Sequence, residues 1–179
     1  MIGHRRRAAS VMALLTTALL SVPSPRAEAR TLDALTRCRL GGGPDWSQTV
    51  DVQGNGGGSV PTGTNPPNIL NHGDVFMVRP LLGDRVRINL WGTNYGPDGN
   101  ATAAPSGWPF PGRFQFSEIL RFNNNPGGWV GDPDQATAFP GCRRWEGGLP
   151  VRFLFYVNDP ETWDNGGRWA TSVHIWRGP

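Results

Sequence analysis

After residue 30, no segment of this chain keeps a 3.6-residue apolar period for three turns, because Gly, Pro, Asn or Asp interrupts nearly every long stretch. A helix that packs on a core needs an apolar stripe several turns long. Short strands need only a few alternating residues between turn formers, so the pattern predicts an all-β chain. The 25 Gly and 17 Pro would suit a disordered segment, but 8 Trp and 8 Phe supply the apolar area of a packed core. Strands are expected at 46–52, 74–79, 84–91, 114–122, 129–130, 151–157 and 169–176. In the third of these, Val86, Ile88 and Leu90 alternate with Arg85, Arg87 and Asn89, which predicts a half-buried strand. Glu118 and Arg121 are expected to face outward, and 151–157 to be central. Seven or eight short strands fit an antiparallel β-sandwich or jelly roll.

The N-terminus has a different composition. His4-Arg5-Arg6-Arg7 precedes an uncharged apolar run from Ala8 to Val22, then Pro23, Pro25 and Ala27-Glu28-Ala29. A basic head, a short apolar run and a small-x-small site predict a secretory signal peptide at 1–29, cleaved after Ala29. The run is about 15 residues, short of the ~20 that span a bilayer. The mature protein is therefore expected to be secreted, with no membrane span and one β-sandwich domain at 30–179. Losing Arg5, Arg6, Arg7, Arg26 and Glu28 takes the 17 arginines and 14 acidic residues to thirteen of each. The basic balance belongs to the export signal, and no nucleic-acid partner is expected. The two cysteines, Cys38 and Cys142, both lie in the mature part. In an oxidising compartment an even pair predicts one disulfide. A catalytic thiol is the alternative, and neither cysteine has an obvious histidine partner.

Catalytic motifs do not emerge. His174 alternates within an apolar strand, and His72 precedes Gly73-Asp74 in a turn. Glu118 and Glu161 would make a glycosidase pair only if the fold happened to bring them together. No GxSxG, HExxH or P-loop is present. The chain is not expected to be an enzyme. The informative segment is 157–167, where Asp159, Glu161, Asp164 and Asn165 crowd into a short turn ending in Gly166-Gly167. Calcium takes six to eight oxygens from carboxylates, amides and carbonyls, and such a loop can supply them. An ordinary hairpin connection uses the same residue types.

The order of segments adds to this reading. Asn158-Asp159, Thr162-Trp163 and Asp164-Asn165-Gly166-Gly167 precede the last strand, Trp91-Gly92-Thr93-Asn94-Tyr95-Gly96-Pro97 lies upstream, and Gly73-Asp74-Val75 opens an earlier strand. This series, over about 46–176, resembles the calcium-dependent galactophilic lectins of the bacterial PA-I type. The resemblance implies a galactose-binding-domain-like sandwich and a Ca2+ ion. Its implied ligands are the side chains of Asp159, Asp164 and Asn165, the backbone carbonyl of Tyr95, and that of Thr162 or Glu161. Trp108 and Trp163, with Asp159, are the implied sugar contacts, since an aromatic face packs on the C–H face of a pyranose. Trp46, Trp91, Trp145, Trp169 and Trp176 are expected in the core or on a sheet face. The chain departs from the family in a loop about two residues shorter and in lacking its His-Pro-Asp-Gln sugar-contact segment. The expected partner is thus a galactose-like or other glycan. The alternatives are a metal-free secreted sandwich that binds proteins or builds a surface, and a small secreted hydrolase.

Overall fold

The computed structural model of the chain describes residues 32–59, 69–124 and 128–179. The expected signal peptide and its cleavage site lie outside the described residues. One short helix, α1 (Ala34–Arg39), comes first, capped by Asp33, whose carboxylate accepts from the amides of Leu35 and Thr36. The strands follow as β1 (Trp46–Gln53), β2 (Gly58–Ser59), β3 (Val75–Pro80), β4 (Val86–Arg87), β5 (Asn94–Tyr95), β6 (Glu118–Asn123), β7 (Trp129–Gln135), β8 (Arg143–Arg144), β9 (Arg152–Val157) and β10 (Gly166–Trp176).

Two antiparallel sheets face each other. In the first, β10 pairs with β1 from Trp46↔Ile175 to Gln53↔Arg168, with β3 over residues 171–176, and with β4 at Gly166 and Gly167. β5 extends β4, and β8 extends β3. The second sheet runs β2-β9-β6-β7. β9 shows why the sequence folds this way. Phe153, Phe155 and Val157 are buried while Arg152, Leu154 and Tyr156 are half-buried, the period-2 alternation of a strand with one face on a core. Val52, Trp169, Val173 and Ile175 from the first sheet meet Leu120, Phe122, Phe153 and Phe155 from the second. Phe76 packs edge-on against both Phe122 and Phe153, with ring centroids 5.6 and 5.5 Å apart.

The expected sandwich is the observed architecture, and β9 is an inner strand as predicted. Four expectations fail. The strand expected at 114–122 begins only at Glu118, because 115 and 116 form a turn. The strand at 84–91 is only Val86–Arg87, because a turn begins at Asn89 and carries Leu90 and Trp91 into solvent. Trp91, expected in the core or on a sheet, is 92% exposed. Glu118, expected to face outward, is enclosed between the sheets, where its Oε1 accepts from the hydroxyl of the fully buried Thr171 at 2.7 Å.

The predicted disulfide joins Cys38 in α1 to Cys142, with Cα atoms 6.0 Å apart across a separation of 104 residues. It anchors the helix over Val75, Met77 and Trp176 on the outer face of the first sheet. In the chain-entropy picture, closing so long a loop stabilises the fold by about 4–5 kcal/mol. Cys38→Ser should lower the urea midpoint accordingly and release α1, read as faster amide exchange confined to residues near Leu35 and Met77.

Glu118 generates a second prediction. Burial raises its carboxyl from an ordinary 4.5 to about 8, and the Thr171 hydrogen bond opposes this only in part. The folded state therefore holds the proton longer than the unfolded one. That contribution is complete below pH 4.5, falls as pH rises between the two values, and is gone above about 8. Unfolding free energy should decline across this window at up to about 1.4 kcal/mol per pH unit. Glu118→Gln should flatten the profile, measured as urea midpoints at pH 5 and pH 8.

Candidate functional site

The loop between β9 and β10 begins with Asn158, which is fully buried. Its side chain accepts from the Phe110 amide at 3.1 Å and donates to the carbonyls of Phe110 at 3.1 Å and Phe114 at 3.0 Å. Its backbone accepts from Phe116 at 2.8 Å and donates to Ser117 at 2.9 Å. A loop of this length must satisfy its own polar groups where it passes over the sheet. One amide does so here and fixes the 97–116 segment against the end of β9.

Phe116 is the bulkier of two residues in that segment with a positive φ, the other being Ala101. The Phe116 φ of 59° is rare for a bulky residue. The bond to Asn158 and the flat stack of its ring on Tyr95, centroids 5.1 Å apart and planes 6° apart, hold it there. Trp108 meets the same ring edge-on at 5.1 Å. Strain of this kind, about 1–3 kcal/mol, persists where neighbours over-determine it, and such residues cluster at binding sites.

These contacts frame a cavity of about 260 Å³ lined by Ile88, Asn89, Trp108, Phe116, Pro160 and three acidic residues, Asp159, Glu161 and Asp164. Residues from three separate segments thus meet at one end of the sandwich. Asp159 is 4% exposed; its Oδ1 accepts from the Glu161 amide at 2.9 Å, and its Oδ2 is buried without a partner. Thr162–Asp164 form one turn of 3-10 helix. Asp164 Oδ1 is also buried and unpartnered. Asn165 gives its Nδ2 to the Gly54 carbonyl at 3.0 Å, leaving Oδ1 buried and unpartnered in turn. Gly54 permits that approach, because a Cβ there would lie 2.8 Å from Val86 and 3.4 Å from Asn165. Neither aspartate is ion-paired among the described residues. Arg168 goes instead to Asp51 at 2.6 Å, and Arg87 reaches only the Asp164 carbonyl, at 3.4 Å.

The other sequence-predicted residues stand as follows. The Tyr95 carbonyl accepts from Trp169 Nε1 at 3.1 Å, and the Tyr95 ring lies behind Phe116. The Thr162 carbonyl accepts from the Asn165 amide at 3.2 Å. A carbonyl has two lone pairs, so that of Thr162 keeps one, whereas Tyr95 is also paired with Val86 in the β4–β5 ladder. Trp163 is 72% exposed on the 3-10 turn and does not line the cavity. Glu118 and Glu161 do not pair, since one is enclosed in the core and the other is exposed beside the cavity. Sequence reasoning missed the roles of Asn158 and Phe116. Among the described residues no three His, Cys, Asp or Glu side chains gather as a metal cluster. The donor set here is two carboxylates, an amide and backbone carbonyls, the oxygen-only chemistry of a hard cation.

No protein-family model matches the sequence, and no curated protein matches it. Among solved structures, the N-terminal domain of EclA, described as a PllA-like lectin, is similar at 16% identity over 74% of this chain and 97% of that one, with a TM-score of 0.38. A likeness that slight supports neither fold nor function.

The role given to Asn158 is testable. Asn158→Ala strands one amide and two carbonyls, each costing about 1–3 kcal/mol if left unpaired. Asn158→Asp should be worse, because a carboxylate cannot donate to the Phe110 and Phe114 carbonyls. Both variants should lower the urea midpoint, and both should speed amide exchange at residues 104–116 more than in β1.

Proposed function

We propose that this chain is a non-catalytic, calcium-dependent carbohydrate-binding module or lectin, acting outside the cell. One observation supports the reading above the others. Asp159 Oδ2, Asp164 Oδ1 and Asn165 Oδ1 are buried without a hydrogen-bond partner, and all three belong to one seven-residue loop. They are the same three side chains that the resemblance to PA-I-type lectins implies as ligands. A buried carboxylate oxygen without a partner costs several kcal/mol, and two in one loop also repel each other. A cation relieves both costs.

The residues present fit calcium. Three side-chain oxygens with the carbonyls of Tyr95 and Thr162 make five donors, and two hydroxyls of a sugar would complete the six to eight that calcium takes. Bound there, the ion would supply a positive centre for vicinal hydroxyls. The protein's own part is to orient them. The Asp159 and Asp164 carboxylates accept from the same hydroxyls. Trp108, held edge-on by Phe116, offers an apolar face within the cavity. Trp91 and Trp163, both largely exposed, stand on the two turns that also supply Asn89 and Asp164 to the cavity. The cavity is lined on its neutral side by Asn89 rather than by histidine. A glycan other than terminal galactose is consistent with that lining.

A stability measurement tests the metal directly. At a hundredfold excess over Kd, a ligand that binds only the folded state adds about 2.7 kcal/mol. For a domain of this size that raises Tm by several degrees. Calcium should give this shift and magnesium should not, because the loop cannot offer a strict octahedron. Asp159→Ala and Asp164→Ala should each abolish the shift, together with calcium-dependent retention on a glycan array. A Tm indifferent to calcium and to chelator would leave the metal-free sandwich.

A further inference from the structure

The outer face of the second sheet carries a set of side chains far from the calcium-type loop in function. The pairings Asn123↔Arg152 and Asn123↔Trp129 line three residues across β9, β6 and β7, and the next row holds Leu154 and Arg121. Phe153 and Phe155 point into the core, so Arg152 and Leu154 face away from it. The Arg121 guanidinium lies 3.7 Å from the centroid of the Trp129 ring, and Tyr156 meets that ring edge-on at 6.1 Å. Trp129 is nevertheless 48% exposed. Arg152 lines a cavity of about 160 Å³ together with Ile69, Asn123, Asn124, Leu149 and Pro150.

Both arginines lack a counter-charge. Neither forms an ion pair among the described residues. The Nε of each is buried and has no acceptor among the described residues. The stretches 60–68 and 125–127, which follow β2 and β6 in sequence, contain no Asp or Glu. A guanidinium N–H shielded from water without an acceptor is costly, and a planar carboxylate accepts two N–H groups of the fork at once.

We propose that this face binds an acidic polysaccharide, with the carboxylate of one uronate residue in the cavity against Arg152 and its pyranose ring on Trp129. Arg121 stands diagonally across the ladder from Arg152, about 7–8 Å away by backbone, and meets a second carboxylate along the same chain. The cavity is smaller than the 300–1,000 Å³ of a whole-ligand pocket, which suits one residue of a polymer whose remainder lies over the open face. A second copy of this chain fits poorly, because a two-fold interface would set like charges against each other. A nucleic acid fits poorly as well. Its affinity comes from many phosphate contacts, and this face offers two cations in a chain without lysine. The site uses no residue of the 159–165 loop.

The test is affinity electrophoresis of the full folded chain in EGTA, through gels containing polygalacturonate or its fully methyl-esterified form. The expected result is retardation by the free acid only, weakening as salt rises from 50 to 500 mM. Arg152→Gln and Trp129→Ala should each weaken binding about tenfold or more, and Arg152→Lys should retain part of it as a point charge without the fork. Arg39→Gln, at the end of α1, should change nothing. An unaltered far-ultraviolet circular dichroism spectrum and urea midpoint in each variant keep misfolding apart from lost binding. Equal retardation by the ester, equal loss in Arg39→Gln, or binding to oligodeoxythymidylate in place of polygalacturonate would overturn the proposal. A dimer in sedimentation that Arg152→Gln dissolves would also overturn it. Asp164→Ala should bind polygalacturonate like the unaltered chain, so this proposal and the calcium reading fail separately.

Discussion

Where β9 leaves the second sheet, the fully buried Asn158 must place every hydrogen-bonding group of its amide or cost the fold several kcal/mol. It places them on Phe110 and Phe114, in a segment more than forty residues upstream. The rest of the candidate site depends on that choice. Phe116 is drawn into a left-handed backbone, Tyr95 is stacked against it, and Trp108 is turned edge-on to the Phe116 ring. On the far side, Trp169 is sealed in the core and reaches the Tyr95 carbonyl through its indole N–H. Two buried polar donors thus position one wall of the cavity from opposite sides. Networks of this kind are rigid when fully satisfied. That rigidity lets the adjoining loop carry buried carboxylate oxygens with no partners of their own.

The parts of the fold that the sequence made legible are those in which one force acts alone. In 151–157, period-2 burial decides everything, and Phe153, Phe155 and Val157 fall inward as alternation requires. The disulfide was legible because the chain has only two cysteines, which leave one possible intramolecular pairing. The failures come where two tendencies compete. Val86, Ile88 and Leu90 alternate as a strand, but Asn89 accepts from the amide of Thr93 at 3.0 Å and closes a turn first. Trp91 is carried outward with it. Glu118 was misplaced because charge argues for solvent, whereas register with Val157 puts it on the inward face. Protonation and Thr171 make that tolerable.

The candidate site divides in the same way. The 159–165 loop was legible because its residue types are concentrated in seven positions. Asn158 was visible only as part of a motif, since nothing in a sequence says which amide will be buried or against what. The strain at Phe116 had no signal at all, because a bulky aromatic is the last residue expected at positive φ.

The distribution of charge links the two surfaces. Among the described residues, five ion pairs join Arg37 to Asp45, Arg113 to Asp134, Arg144 to Asp33, Arg168 to Asp51 and Arg177 to Asp74. Other charged side chains there stay unpaired, most of them in water. Asp159 and Asp164 are among these yet lie at least partly buried, as do Arg121 and Arg152. The two sets do not cancel each other because the topology holds them apart. The aspartates lie on the connection between the sheets, and the arginines face outward from the middle of one sheet. Carboxylates partly buried at one end and guanidiniums partly buried on one face carry a desolvation cost at both places. On the two proposals above, ligands of opposite sign, a cation at the loop and a carboxylate at the face, would offset both costs.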